Sequence, residues 1–133
     1  MELVILQEAR KELQLRARSA RPAQGYLLGR QTGPGLFVEK VMPLTWNELL
    51  KPETLVMVES NQGLEVLGVF SLVARPDSRR KLLRPLFAGK VFLSITVNSR
   101  GEIKPRAGVI EFDRKFFLQP LSRIILEVEA EDG

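Results

Sequence analysis

Hydrophobic residues recur along the chain at two periods, and the change from one to the other marks the elements. Over residues 6–20, Leu6, Ala9, Leu13 and Ala17 fall at three- and four-residue steps, while Arg10, Lys11, Gln14 and Arg18 occupy the other side. That spacing predicts an amphipathic helix. Glu8 and Glu12, with Lys11 and Arg16 nearby, supply surface ion pairs along it. Ser19-Ala20-Arg21-Pro22 ends it, because proline disfavours helical geometry in the residue before it. The apolar run Leu3-Val4-Ile5 reads either as part of this helix or as a strand leading into it.

Beyond the proline the period shortens. Gly25-Tyr26-Leu27-Leu28-Gly29 reads as a short strand, and the turn Gly33-Pro34-Gly35 joins it to a second strand over residues 36–42, a hairpin. Trp46-Asn47 opens a connecting segment. Pro52-Glu53 followed by residues 54–60 fits a short helix opened by proline in its first turn, and Leu55-Val56-Met57-Val58 fits a strand equally well. Gln62-Gly63 is a turn. Residues 64–73 are almost continuously apolar, the pattern of a central strand covered on both faces. A basic, proline-containing loop is expected over residues 74–81. Residues 91–97 give the clearest strand, rich in branched and aromatic side chains. The turn Asn98-Ser99-Arg100-Gly101 leads into residues 102–111, where Pro105 makes the first half a poor central strand. Phe116-Phe117-Leu118 and residues 124–128 supply a last strand before an acidic tail over residues 127–133, expected to be disordered. No internal repeat or linker interrupts this order. It predicts one α+β domain with a mixed, mostly antiparallel sheet flanked by helices.

Composition narrows the chemistry. The chain has 133 residues, one domain's worth, with 44% hydrophobic and 27% charged residues, enough for a packed core. It contains no histidine and no cysteine. Ser-His-Asp and Cys-His catalysis are therefore excluded, as are metal sites built on imidazole or thiolate. Carboxylate chemistry, lysine chemistry and simple binding remain open. No disulfide can form, no signal peptide is visible and no apolar run reaches the roughly 18 residues of a membrane span, so a cytoplasmic protein without membrane contact is expected. Twenty basic residues against 16 acidic give a net charge of +4, which permits an anionic partner without demanding one.

The order of helix, proline, Gly-Tyr-Leu-Leu-Gly strand, hairpin ending near Pro43 and Asn47, and the glycine-led strand Leu67-Gly68-Val69-Phe70 resembles the JAMM/MPN family. Catalytic members of that family are zinc isopeptidases and peptidases with a cytidine-deaminase-like architecture. The resemblance spans about residues 3–125 and implies that fold for this chain. It also locates the departures. The family's general-base glutamate, just before the Gly-Leu-Leu-Gly strand, falls on Gln24, which cannot take a proton. Its two histidine ligands fall on Ser71 and Val73. Its aspartate ligand falls on Arg84, or on Arg80 or Lys81 if the loop is shorter, so a cation stands where an anion is needed. Ser78 partly echoes the serine of the distal motif. The resemblance therefore implies no bound metal or other cofactor, no zinc hydrolysis, and kinship with the family's non-catalytic scaffold or binding members.

The densest basic feature is Arg75, Arg79, Arg80, Lys81 and Arg84. On the resemblance it lies beside the vacated active-site groove and would bind a phosphate or an acidic peptide segment; in the plainer reading it is a solvated loop. A second basic face on the first helix, Arg10, Lys11, Arg16, Arg18 and Arg21, is interleaved with Glu8 and Glu12 and lacks aromatic platforms, which argues against nucleic-acid binding. The apolar strands over residues 91–97 and 124–128 include a candidate sheet edge, so a protein partner or a homodimer is expected. The sequence thus predicts a non-catalytic JAMM/MPN-like binding or scaffold domain. The alternatives are a metal-independent hydrolase using carboxylates or serines such as Ser71 or Ser78, and a weak polyanion- or nucleic-acid-binding accessory domain.

Overall fold

A computed structural model describes residues 1–18, 23–72 and 76–127. The chain opens with strand β1 (Glu2–Ile5), which settles the Leu3-Val4-Ile5 alternative, and continues into helix α1 (Gln7–Arg18). Ala9 and Leu13, one turn apart, are the buried stripe of α1, and the ion pair between Glu12 and Arg16 lies on its outer side at 2.7 Å. The predicted hairpin is β2 (Gln24–Thr32) and β3 (Gly35–Pro43), turning at Gly33 with φ +58°.

The connecting segment holds two helices. In α2 (Trp46–Leu49) the Thr45 hydroxyl accepts from the Glu48 amide while the Glu48 carboxylate accepts from the Thr45 amide. The ambiguous run after Pro52 is helix α3 (Pro52–Gln62), not a strand. Proline at its first position and Gly63 at its end, in the left-handed region with φ +66°, mark both boundaries, and Thr54 and Val58 bury one face. Val56 and Met57 are exposed.

Strand β4 (Glu65–Ser71) is followed by helix α4 (Pro76–Leu82), a 3-10 turn at Pro85–Phe87, β5 (Val91–Val97), β6 (Ile103–Asp113), β7 (Lys115–Pro120) and β8 (Arg123–Leu126). Two expectations change here. The basic stretch expected as a loop forms α4 from Pro76 onward, with proline in its first turn as in α3. The expected single last strand is two: β7 folds back on β6, while β8 crosses to the opposite edge and runs parallel to β1. The alternation of apolar residues fixes which face a strand buries but not which neighbour it pairs with.

The strands form one sheet in the order β7-β6-β5-β4-β2-β3-β1-β8. Pairings β2–β3, β2–β4, β5–β6 and β6–β7 are antiparallel; β1–β3, β1–β8 and β4–β5 are parallel. This is the expected α+β class with a mostly antiparallel sheet flanked by helices. The strand over residues 91–97 is interior, and β8 is an edge. Pro105 sits opposite Ile95, whereas β7 pairs with β6 only from Gly108 onward, so the imide leaves no β6–β7 ladder bond unmade. The sheet curls until β6 approaches β8, and Ile103 packs in the same core as Ile124 and Leu126.

Two cores follow from the alternation. On the concave side Leu3, Ile5, Leu27, Val38, Phe70, Leu93 and Ile95 pack with Ala9 and Leu13 of α1. On the other side Tyr26, Leu28, Val69, Phe92 and Ile110 meet Leu49, Val58, Leu82 and Phe87. Glu127, assigned to the tail in the sequence reading, is tied down: its amide donates to the Ile5 carbonyl and its carbonyl accepts from Arg10 Nε at 2.6 Å. The rest of the expected tail, residues 128–133, lies outside the described residues. Among the described residues no helix is long and apolar enough to cross a membrane.

The cores yield two tests. A Cβ on Gly68 would lie 2.2 Å from the Val91 carbonyl oxygen, so the backbones of β4 and β5 must separate to admit one. Gly68→Ala is expected to lower stability by about 1–3 kcal/mol in urea unfolding, and an unchanged midpoint would contradict this packing. Tyr26, the chain's one tyrosine, is fully buried; burial and the nearby Glu59 carboxylate push its pKa up from 10.0 to about 12. Because folding favours the neutral phenol, its contribution to stability is complete below pH 10 and lost as pH rises towards 12. Absorbance titration at phenolate wavelengths should show the late midpoint in the native protein and an ordinary one in denaturant.

Candidate functional site: a cationic groove beside a polar row

The register sets four polar residues side by side. Gln24 on β2 pairs with Ser71 on β4, Ser71 with Ser94 on β5, and Ser94 with Arg106 on β6. Paired residues in neighbouring strands share a face. Each member is two residues from one packed into the helix-covered core, namely Tyr26, Val69, Phe92 and, through Gly108, Ile110. The row is therefore on the face that carries α2, α3 and α4.

Each member is placed by its strand. Gln24 is clasped to the end of the hairpin twice: its carbonyl accepts from the Leu44 amide at 2.9 Å, and its side-chain Nε2 donates to the Leu44 carbonyl at 2.8 Å. Ser71 is nearly fully buried at the end of β4. Ser94 and Arg106 open onto a groove of about 800 Å³ that runs along β6 from Lys104 to Gly108. Thr96, Phe92, Leu118 and Pro120 complete its sheet side, and Arg79 reaches it from α4. Arg79, Lys104 and Arg106 give the groove three cations, and its lining contains no acid among the described residues. All three side chains are exposed, and no ion pair ties any of them to an acid among the described residues.

The basic cluster read from the sequence does not converge here as a unit. Successive helical residues point about 100° apart, so α4 disperses its cations. Of its described members, Arg79 alone lines the groove. Arg80 is exposed, and Lys81 places its ammonium 4.8 Å from the centre of the Trp46 ring on α2. Arg84, at the start of the 3-10 turn, donates from Nε to the Lys81 carbonyl at 2.6 Å. Arg75 and Val73 lie outside the described residues; Ser78 falls within α4, and its side chain is not described. Of the positions singled out by the family resemblance, Gln24 and Ser71 are brought together as a cross-strand pair.

Sequence reasoning missed Ser94, Thr96 and Arg106 and gave Lys104 no role. One signal was present, since Lys104 and Arg106 alternate on β6 and so share a face. Their juxtaposition with Arg79 depends on the β4–β5 crossover, which no local pattern reveals. Among the described residues no three acidic side chains converge in a way that could hold a metal ion.

No protein-family profile matches the chain, and no curated protein matches it. Among solved structures it is similar to the solution structure of protein DSY2949 from Desulfitobacterium hafniense, a structural-genomics target, with a TM-score of 0.63 and 20% sequence identity over 97% of this chain and 95% of that one. At that identity the likeness is one of fold.

The contact between Lys81 and Trp46 joins α4 to α2 and is directly testable, because Trp46 is the chain's one tryptophan. Lys81→Met should shift its fluorescence and lower stability by about 0.5–1 kcal/mol. An emission spectrum indistinguishable from that of the parent protein would show that the ammonium does not sit over the ring.

Proposed function

We propose that the chain is a JAMM/MPN-like domain without catalytic capacity that acts as a protein-binding or scaffold unit. The observation that carries this reading is the hydrogen bond from Gln24 Nε2 to the Leu44 carbonyl. On the family resemblance, this position belongs to the glutamate that shuttles a proton. A carboxylate has no hydrogen to give a carbonyl oxygen and would face it with like partial charge, whereas an amide donates. The residue here is thus suited to holding two segments together and unsuited to acid–base work.

Its neighbours support the same reading. Ser71, at a histidine position of the family's motif, offers only a hydroxyl, and the next two members of the row are Ser94 and Arg106. A guanidinium repels a divalent cation and attracts carboxylates. Arg84, at the family's aspartate position, is joined to the Lys81 carbonyl. The α+β class and mostly antiparallel sheet are compatible with the finer cytidine-deaminase-like arrangement that the resemblance implies. The binding half of the proposal draws on the groove, where three cations have no acidic partner among the described residues and stand on an otherwise apolar and hydroxyl-bearing surface.

Elemental analysis of the dialysed protein should find far less than one zinc per chain, and no isopeptide-linked substrate should be cleaved. Gln24→Glu should bring neither zinc nor activity. It should instead lower stability by about 1–3 kcal/mol, the cost of an unsatisfied carbonyl facing a carboxylate. One bound zinc per chain together with metal-dependent cleavage would overturn the proposal.

A further inference from the structure

We infer that the groove along β6 is a docking site for an extended acidic peptide segment of a partner protein, held between Arg79 on one side and Lys104 and Arg106 on the other. The inference rests on the binding role proposed above and supplies the chemistry of its ligand. Lys104 and Arg106 are two residues apart on one strand and project from the same face, each opposite a hydroxyl-bearing residue of β5, Thr96 and Ser94 respectively. Arg79 arrives from α4, which lies within the crossover that joins β4 to β5. Like charges brought to one groove repel one another, and among the described residues no acid lines this one to relieve them. A ligand carrying carboxylates supplies the missing charge, and the two guanidinium groups can each hold a carboxylate through paired hydrogen bonds.

The apolar lining separates a peptide from a nucleic acid. A single strand of nucleic acid needs exposed aromatic faces on which its bases stack. The one aromatic among the groove's described lining residues, Phe92, is only 5% exposed and belongs to the core. Leu118 and Pro120 instead present aliphatic surface beside the cations. Alternating charge and aliphatic contact matches an extended peptide whose successive side chains point to opposite sides, carboxylates to the cations and aliphatic groups to the groove wall. A volume of about 800 Å³ accommodates several such side chains.

The test is fluorescence anisotropy with a labelled peptide of alternating glutamate and valine, set against the glutamine–valine peptide of equal length and a single-stranded oligonucleotide of equal charge. The glutamate peptide should bind most tightly, and its affinity should fall as salt rises. Replacing Arg79, Lys104 and Arg106 together by glutamine should weaken binding about tenfold, since three exposed pairs each contribute roughly a factor of two. Arg80→Gln, on the same helix but away from the groove, should leave affinity unchanged. Circular dichroism confirms that both variants are folded. The inference is overturned if no glutamate peptide binds at low salt, if the triple variant binds like the parent, if Arg80→Gln weakens binding as much, or if the oligonucleotide binds more tightly. Any of these results in a zinc-free, inactive protein leaves the non-catalytic reading intact. A peptide that is bound and also cut upholds the groove and overturns that reading instead.

Discussion

The close parallel approach of β4 and β5 is the contact on which the rest of the molecule depends. Gly68 and Val91 face each other with so little room that no side chain fits between their backbones. Among the described strands this is the pairing that joins two antiparallel halves, β3-β2-β4 and β5-β6-β7. Because β4 has neighbours on both sides and layers on both faces, it supplies Leu67 and Phe70 to one core and Val66 and Val69 to the other. Displacing it would loosen both. It would also part Ser71 from Ser94, and with them the polar row.

Much of this architecture is legible in the residues themselves. The three- and four-residue spacing of Ala9 and Leu13 gives α1, Gly33 gives the hairpin, and the unbroken apolar run around Val69 gives a central strand. Each of these signals is local, set by what a few adjacent residues bury or how they turn. Pairing partners are not local. Nothing in Ile124 and Ile125 says that they will lie beside β1 instead of β7, because alternation specifies a face and leaves the neighbour open. The segment after Pro76 departs from its expected loop for a different reason. Its charges and proline suggest a loop, yet proline suits a helix's first turn, and Leu82 buries itself against the sheet once the helix forms.

The same distinction explains the site. A dense run of cations in sequence looks like a binding loop, but a helix spreads such a run around its axis. Lys81 is drawn to an indole ring, Arg84 closes on a carbonyl, and of the described cations in the run only Arg79 faces the groove. Its companions come from a strand some 25 residues later, where two cations separated by one residue attract no notice as a cluster. Charge density along the chain and charge density in space are different quantities here. The second depends on the curl and crossover of the sheet.

The sheet's far edge has a consequence for how the chain reaches this state. Strand β1 lies between β3 and β8, and the backbone carbonyl of Met1 accepts from the amide of Ser122, across 121 positions. β1 can pair with β3 across a short stretch of chain, but its other edge stays bare until the distant β8 is in place. Loop-closure entropy makes such a late, distant pairing slow relative to local hairpins. For that interval Leu3 and Ile5 sit in a strand with an open side, the arrangement that invites pairing with a neighbouring chain. The β1–β8 ladder is thus what closes that side, and the hydrogen bond from Arg10 to the Glu127 carbonyl ties α1 to the end of β8.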